Sequence, residues 1–170
     1  MRLRRRRRMK HRLGQHVMRW FTHEWHDSEL SETQIDAAIK DYATHLADLT
    51  PHLPADVRTL AALYLHDAQV QEWTSDETSF SWRLLIGDLQ RDYEFAAITY
   101  HDAELIGAGA AGLRDARLTD DPVELLSDEI DITADGTYEH RFHLYPGHEF
   151  GVRFASVTVH LSPASGGDRR

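Results

Sequence analysis

The spacing of apolar residues changes at Ala68, and this change constrains the fold more than any other feature of the sequence. Before Ala68, apolar residues recur at helical intervals, whereas after it they alternate with polar residues, as in strands with one covered face. The alternating runs are Phe80–Ile86, Tyr138–Leu144, Phe150–Phe154 and Val157–Leu161. The pattern predicts an α+β fold, in which an N-terminal helical hairpin packs on a mostly antiparallel, meander-like β-sheet.

Two helices are predicted before the change of period. Ser31-Glu-Thr-Gln34 reads as a capping box, in which the serine side chain accepts an amide hydrogen bond and Gln34 reaches back. One apolar stripe follows it, formed by Ile35, Ala38, Ile39, Tyr42, Leu46 and Leu49. Thr50-Pro51 ends this helix, and Pro54 suits the first turn of a second one. A short link between two amphipathic helices predicts the hairpin.

Turn residues divide the rest of the chain. Asp135-Gly136 favours a tight turn between two strands, and Gly107–Pro122 is predicted to be a loop with about one helical turn. We therefore expect a helical segment at 18–67 and a sheet at 68–165, which together form one domain, followed by a disordered tail at 166–170. Residues 1–17 are set apart as a basic, disordered leader or arm.

The charge distribution is the reason for setting the first residues apart. Eight of the nineteen Lys and Arg residues lie in Met1–Arg12, including the run Arg4–Arg8. The run could be an arm for nucleic acid or anionic lipid, a targeting sequence, or a translated leader. A secretory signal is excluded because Leu13–Trp25 contains no apolar core. Met9 and Met18 are two further candidates for the first residue of the natural protein. The change of charge along the chain favours Met18.

The remaining residues form an acidic body. Residues 13–170 hold 11 basic and 28 acidic residues, a formal charge of −17. Such a body repels nucleic acid and attracts basic partners, so nucleic-acid binding is expected only if the Arg4–Arg8 arm is genuine. The densest acidic stretch supplies the candidate partner-binding residues, which are Asp120, Asp121, Glu124, Asp128, Glu129 and Asp131. The absence of cysteine and of any apolar run of about 20 residues favours a cytoplasmic protein without membrane contact.

One glycine-rich motif resembles a cofactor-binding turn. Gly107, Gly109 and Gly112 match the G-x-G-x-x-G pattern that holds a pyrophosphate in dinucleotide-binding folds. Only 58 residues follow Gly112, and they read as antiparallel strands without β-α-β units. We interpret the motif as a surface loop and predict no cofactor.

Histidine-rich segments raise the question of a metal site. His23-Glu-Trp-His26 resembles the zinc-protease helix, but its second histidine comes one residue early, and no third ligand is apparent. The pairs His66-Asp67 and His101-Asp102 follow a helix and a strand, where turn hydrogen bonds explain them. His140 and His143 should point to opposite faces of one strand. We predict no metal site, and His23, His26, His66 and Asp67 are the weak candidates.

Three aromatic residues precede the helical hairpin. We interpret Trp20, Phe21 and Trp25 as a hydrophobic anchor for the hairpin rather than as a stacking platform. The segment Met18-Arg-Trp-Phe-Thr-His-Glu-Trp25 also resembles the opening of the bacterial proteins grouped as domain of unknown function 4085. Leu65-His-Asp-Ala68 is similar to the point where such proteins pass from helices to sheet. The resemblance implies a start at Met18, and that family carries no assigned activity.

Two functional hypotheses follow. The first is a non-catalytic bacterial protein-binding module, in one specific form an immunity-type protein that meets a basic effector. The second is a small enzyme, or a cofactor- or metal-binding protein, that uses the Gly107–Gly112 loop or the His-Asp pairs. The first hypothesis is favoured because no nucleophile elbow or phosphate-binding loop is present.

Overall fold

The computed structural model describes residues 17–107, 109–116, 122–145 and 147–169. Four α-helices occur in this part of the chain, at His23–His26 (α1), Glu32–Leu49 (α2), Ala55–Ala61 (α3) and Gly109–Ala116 (α4). Eight strands accompany them: Ala68–Ser75 (β1), Ser79–Asp88 (β2), Asp92–His101 (β3), Glu104–Gly107 (β4), Glu124–Ile132 (β5), Tyr138–Tyr145 (β6), His148–Phe154 (β7) and Ser156–Pro163 (β8). The predicted α+β class is confirmed, and β1 begins at Ala68, where the apolar period changes.

The eight strands form one antiparallel sheet with the order β4-β7-β6-β5-β1-β2-β3-β8. Two meanders make up its halves, and they meet where Ala68 and Gln69 of β1 pair with Leu125 and Glu124 of β5. This junction is short, so the sheet can bend sharply there and fold one half toward the other. The helical N-terminus and the sheet then share one core.

Aromatic rings from both halves of the sheet fill that core. Phe80 and Trp82 of β2 meet Phe142 and Phe150 of the other half, with ring centroids 4.6 Å apart for Trp82 and Phe142 and 6.0 Å for Phe80 and Phe150. All four side chains are buried. Contact between the inner faces of the two halves requires the sheet to curl.

The predicted helical hairpin is present and begins at the predicted capping box. The Ser31 hydroxyl accepts the Gln34 amide at 3.4 Å, and the Gln34 side chain accepts the Ser31 amide at 3.0 Å. α3 buries Val57 and Leu60, and the Asp56 carboxylate accepts the Val157 amide of β8 at 3.1 Å. Among the described helices, none has the length and hydropathy to cross a membrane.

Two details of the loops differ from expectation. The glycine-rich segment contains α4, an eight-residue helix, rather than a single helical turn. Gly166–Asp168 of the predicted disordered tail forms a 3-10 turn, because the Asp168 carboxylate accepts the Ser165 amide and hydroxyl. Arg169 then donates to Glu124 at 3.2 Å, which ties the tail to β5. The predicted turn at Asp135-Gly136 is present, with a positive φ of 87° at Gly136 that glycine adopts without strain.

Replacing Ser31 with alanine tests the contribution of the capping box. We expect the free energy of unfolding to fall by about 1 kcal/mol, because the first turn of α2 loses a side-chain acceptor. Urea denaturation followed by circular dichroism measures the change. Thr33→Ala, at an exposed position of the same helix, is the control and should leave the midpoint nearly unchanged. Equal midpoints for wild type and Ser31→Ala would contradict the assigned role.

Candidate functional site

The outer face of strands β5, β6 and β7 carries a continuous set of polar residues. Residues directly opposite each other in paired strands share a face. Three rows result: Ser127, His143 and Glu149; Glu129, Arg141 and Gly151; Asp131, Glu139 and Arg153. We call these nine residues the polar face. Polar residues on the outside of a sheet ordinarily contact water, but most of this face is covered.

The cover is the segment Val17–Asp27, which we call the strap. The Glu129 carboxylate accepts the backbone amides of Arg19 at 2.9 Å, Trp20 at 2.6 Å and Phe21 at 2.7 Å. The Glu149 carboxylate accepts the amides of Val17 at 3.1 Å and Met18 at 3.4 Å. Two carboxylates of the sheet therefore hold the strap by its backbone, whatever side chains the strap carries.

The predicted aromatic anchor is confirmed on the outer side of the strap. Ring centroids of Trp20 and Phe21 lie 5.1 and 5.2 Å from that of Tyr42 in α2. The Tyr42 hydroxyl accepts the Ile130 amide of β5 at 2.8 Å. Burial is the main reason that the pKa of Tyr42 lies above its usual range, and the nearby Asp128 adds to it. The strap is thus held between α2 and the sheet.

Arg141 lies at the centre of the polar face. Its guanidinium donates to Glu139 at 3.1 Å through Nε, to Glu129 at 3.2 Å through Nη1, and to Asp131 through Nη2. All four side chains are buried. Arg141 is shared by these three buried carboxylates, and the strap amides supply further hydrogen-bond donors to Glu129. Asp131 has a further neighbour, since Nε2 of His45 lies 3.1 Å from Oδ1.

An open pocket of about 740 Å³ lies at one end of the polar face. Its lining residues are Val17, Arg19, Glu104, Ile106, Gly107, Asp131, Glu139, Arg141 and Arg153. Arg153 donates to Glu139 at 2.7 Å, and Arg19 lies 3.5 Å from Asp131. The charged side chains that line the pocket largely bind one another. The pocket therefore suits a polar ligand group better than an apolar one.

Histidines gather at the other end of the polar face. The ring of His143 lies 4.1 Å from that of His26 and 5.9 Å from that of His23, between centroids. Burial, followed by the effect of His143, lowers the pKa of His26 from 6.5 to about 4. Burial, followed by the effect of His23, lowers the pKa of His143 to about 4 as well. Both imidazoles are therefore neutral near pH 7.

The histidine cluster does not have the geometry of a metal centre. In the described part of the chain, no three His, Cys, Asp or Glu side chains are placed to hold a metal ion together. Nε2 of His26 lies 2.8 Å from the Ser127 hydroxyl, and His23 pairs with Asp27 at 2.8 Å. His66 is near enough to His26 to contribute to the lowering of its pKa, but Nδ1 of His66 contacts the Leu126 carbonyl at 2.6 Å, and Asp67 adopts a positive φ of 60° in the turn before β1.

A second polar group lies on the inner face of the sheet. His140 contacts the Tyr100 hydroxyl at 2.9 Å through Nδ1 and the Asp128 carboxylate at 2.9 Å through Nε2. Tyr100 and His140 are fully buried, and burial raises the pKa of Tyr100 well above its usual range. The opposite orientations predicted for His140 and His143 are confirmed. Tyr100 and His140 have no access to solvent. The hydrogen bonds between Tyr100, His140 and Asp128 therefore satisfy buried polar groups in the core.

The glycine motif lies at the end of β4 and in α4. Gly107 and Gly109 have positive φ values of 73° and 52°, which the turn from strand to helix requires. β4 is an antiparallel edge strand, and the described strands form no parallel pairs. A dinucleotide-binding turn of this pattern needs a parallel β-α-β unit. Gly107 and Gly109 are instead explained by the local backbone, and Gly112 lies inside α4.

The predicted acidic partner-binding stretch is divided by the fold. Glu129 and Asp131 are buried beneath the strap, where neither carboxylate can meet a partner. Asp128 contacts His140, and Glu124 accepts from Gln69 at 3.1 Å and from Arg169 at 3.2 Å. Asp120 and Asp121 lie outside the described residues. The described members of the stretch therefore form no common exposed surface.

Sequence reasoning gave no site role to six polar residues of the polar face, which are Ser127, Glu139, Arg141, His143, Glu149 and Arg153. Their only signal is alternation with apolar residues along β5, β6 and β7. The same alternation occurs in strands whose polar face contacts water. Detecting the site would have required knowing that the strap returns to this face.

The comparisons with known proteins leave the family open. No family model, no curated protein and no solved structure matches the chain. The resemblance of Met18–Trp25 to domain of unknown function 4085 therefore stays a hypothesis that rests on a short motif.

Proposed function

We propose that the chain is a non-catalytic protein-binding module of the bacterial cytoplasm, which recognises a basic partner through the outer surface of α2. An immunity-type role, in which the partner is a basic effector, is one specific form of this proposal. The single observation that carries it is the exposure of α2. No residue of this 18-residue helix is fully buried, although one side of the helix packs on the strap and Tyr42 binds the sheet through its hydroxyl.

The chemistry of the exposed surface favours a basic partner. Carboxylates dominate α2 and the turn before it, with Glu29, Glu32, Asp36, Asp41 and Asp48 exposed beside one exposed cation, Lys40. Ile39 is 46% exposed on the same helix, one helical turn from Asp36 and two turns from Glu32. An exposed apolar side chain beside carboxylates combines a contact point with long-range steering. The same charges also keep a protein in solution, so an experiment must separate the two roles.

Capture from the host's own lysate tests the proposal. The intact protein should recover a partner at low salt and lose it at high salt, because charge steering is screened. The triple variant Asp36→Asn, Asp41→Asn, Asp48→Asn should recover at least about tenfold less. The matched control is Glu72→Gln, Glu77→Gln, Glu94→Gln, which removes the same charge from exposed positions outside α2.

Three results would contradict the proposal. The first is the absence of any partner at low salt. The second is an equal loss of partner with both triple variants, which would indicate a nonspecific effect of net charge. The third is recovery that does not change with salt. Ile39→Ala gives an independent check, because it should weaken binding at low salt without changing the charge.

A further inference from the structure

We propose that the strap is a proton-sensitive cover, which detaches from the polar face when the medium is acidified while the sheet stays folded. The proposal begins with the way the strap is held. Its described hydrogen bonds to the sheet run largely from backbone amides to the carboxylates of Glu129 and Glu149. These contacts lie between α2 and the face of the sheet that points away from the aromatic core, so they can open without disturbing that core.

Histidines from two elements meet under the strap. His26 lies on α1 and His143 on β6, with ring centroids 4.1 Å apart, and the His143 side chain is 3% exposed. Protonation of both rings would place two cations in contact where one has almost no access to water. Separation of the strap from the sheet relieves this repulsion and hydrates both rings.

The other groups around the two rings do not cancel this repulsion. From α1, His23 and Asp27 face them; from β7, Glu149 and His148; from the turn before β1, His66; and from β5, the hydroxyl of Ser127. Glu149 is the nearest carboxylate to His143, but its Oε1 atom lies 3.9 Å from Nδ1 and makes no hydrogen bond. Its other oxygen already accepts two strap amides.

The direction of the pKa shifts agrees with this geometry. Both rings have pKa values of about 4 with the strap attached, against 6.5 for a free imidazole. The detached state therefore binds more protons between pH 6.5 and pH 4, so attachment is favoured above this window and is lost as the pH falls through it. Allowing for the partial exposure of His26, we expect the detachment constant to rise roughly 50-fold from pH 7.5 to pH 4.5.

Hydrogen exchange followed by mass spectrometry of the full chain tests the inference. After correction for intrinsic exchange rates, the strap amides of residues 19–21 should lose protection by about this factor at pH 4.5. The amides of β6 should stay protected at both pH values. Unchanged protection of the strap, or a parallel loss in β6, would overturn the proposal.

A pair of double variants assigns the effect to the two histidines. His26→Gln with His143→Gln removes both titrating rings and should keep the strap protected at pH 4.5. The control, His52→Gln with His160→Gln, changes exposed histidines elsewhere and should behave like wild type. The first variant could instead lose strap protection at pH 4.5 as much as the wild type does. That result would assign the effect to carboxylate protonation and refute the proposal.

A second measurement uses only the wild-type protein, so its result does not depend on whether the variants fold. The imidazole proton resonances of His26 and His143 should titrate together with the loss of strap protection, at pH values well below 6.5. Ordinary titration of both rings near pH 6.5, with the strap still protected, would refute the proposal as well.

Discussion

Replacing Arg141 with methionine should lower the free energy of unfolding by about 3–5 kcal/mol, the largest effect that we expect from one polar substitution. The loss arises because Glu129, Asp131 and Glu139 stay buried without their shared cation. Urea denaturation of both proteins at pH 7 measures it.

Arg91→Met is the matched control for this measurement. Arg91 pairs with Asp88 at 2.9 Å, and both side chains are largely exposed, so its removal should cost less than about 1 kcal/mol. A similar loss for the two variants would show that burial of the Arg141 network contributes nothing of its own.

Replacing Phe150 with alanine should have an effect of the same size, about 3–5 kcal/mol, through a different cause. The Phe150 ring contacts Phe142 of its own half of the sheet and Phe80 and Trp82 of the other half, with centroids 5.0 to 6.0 Å apart. Its removal leaves a cavity where the two halves meet. Thermal or urea unfolding, together with the near-ultraviolet circular dichroism of the packed aromatic rings, measures the loss.

Leu89→Ala is the control for the loss of apolar contact. Leu89 is 92% exposed at the turn between β2 and β3, so its truncation should change stability by no more than about 0.5 kcal/mol. If Phe150→Ala were equally mild, the two halves of the sheet would not share the core described above.

Local features of the fold were predictable because their causes are local. The capping box at Ser31 and Gln34 depends on residues three positions apart, and the turn at Gly136 depends on one glycine. The change of apolar period at Ala68 marks the start of β1 for the same reason. Alternation along a strand also sufficed to place His140 and His143 on opposite faces.

The candidate site was less predictable, because its residues are defined by what covers them. Glu129 and Asp131 read as solvated charges in an acidic stretch, yet both are buried. Alternation in the sequence indicates that one face of a strand is polar. The sequence pattern is the same whether that face contacts water or backbone amides. The amides of Arg19, Trp20 and Phe21 lie more than 100 positions away from Glu129 along the chain.

The sequence by itself therefore determined the α+β class, the helices α2 and α3, and the strands β2, β6, β7 and β8 with their two faces, since these follow from short-range periodicity. Only the tertiary structure decided the strand order, the curl that brings Trp82 against Phe142, and the attachment of the strap to Glu129 and Glu149. Those features depend on contacts between distant segments, whose net free energy is the small difference of burial, hydrogen bonding and lost chain entropy. No local pattern encodes that difference.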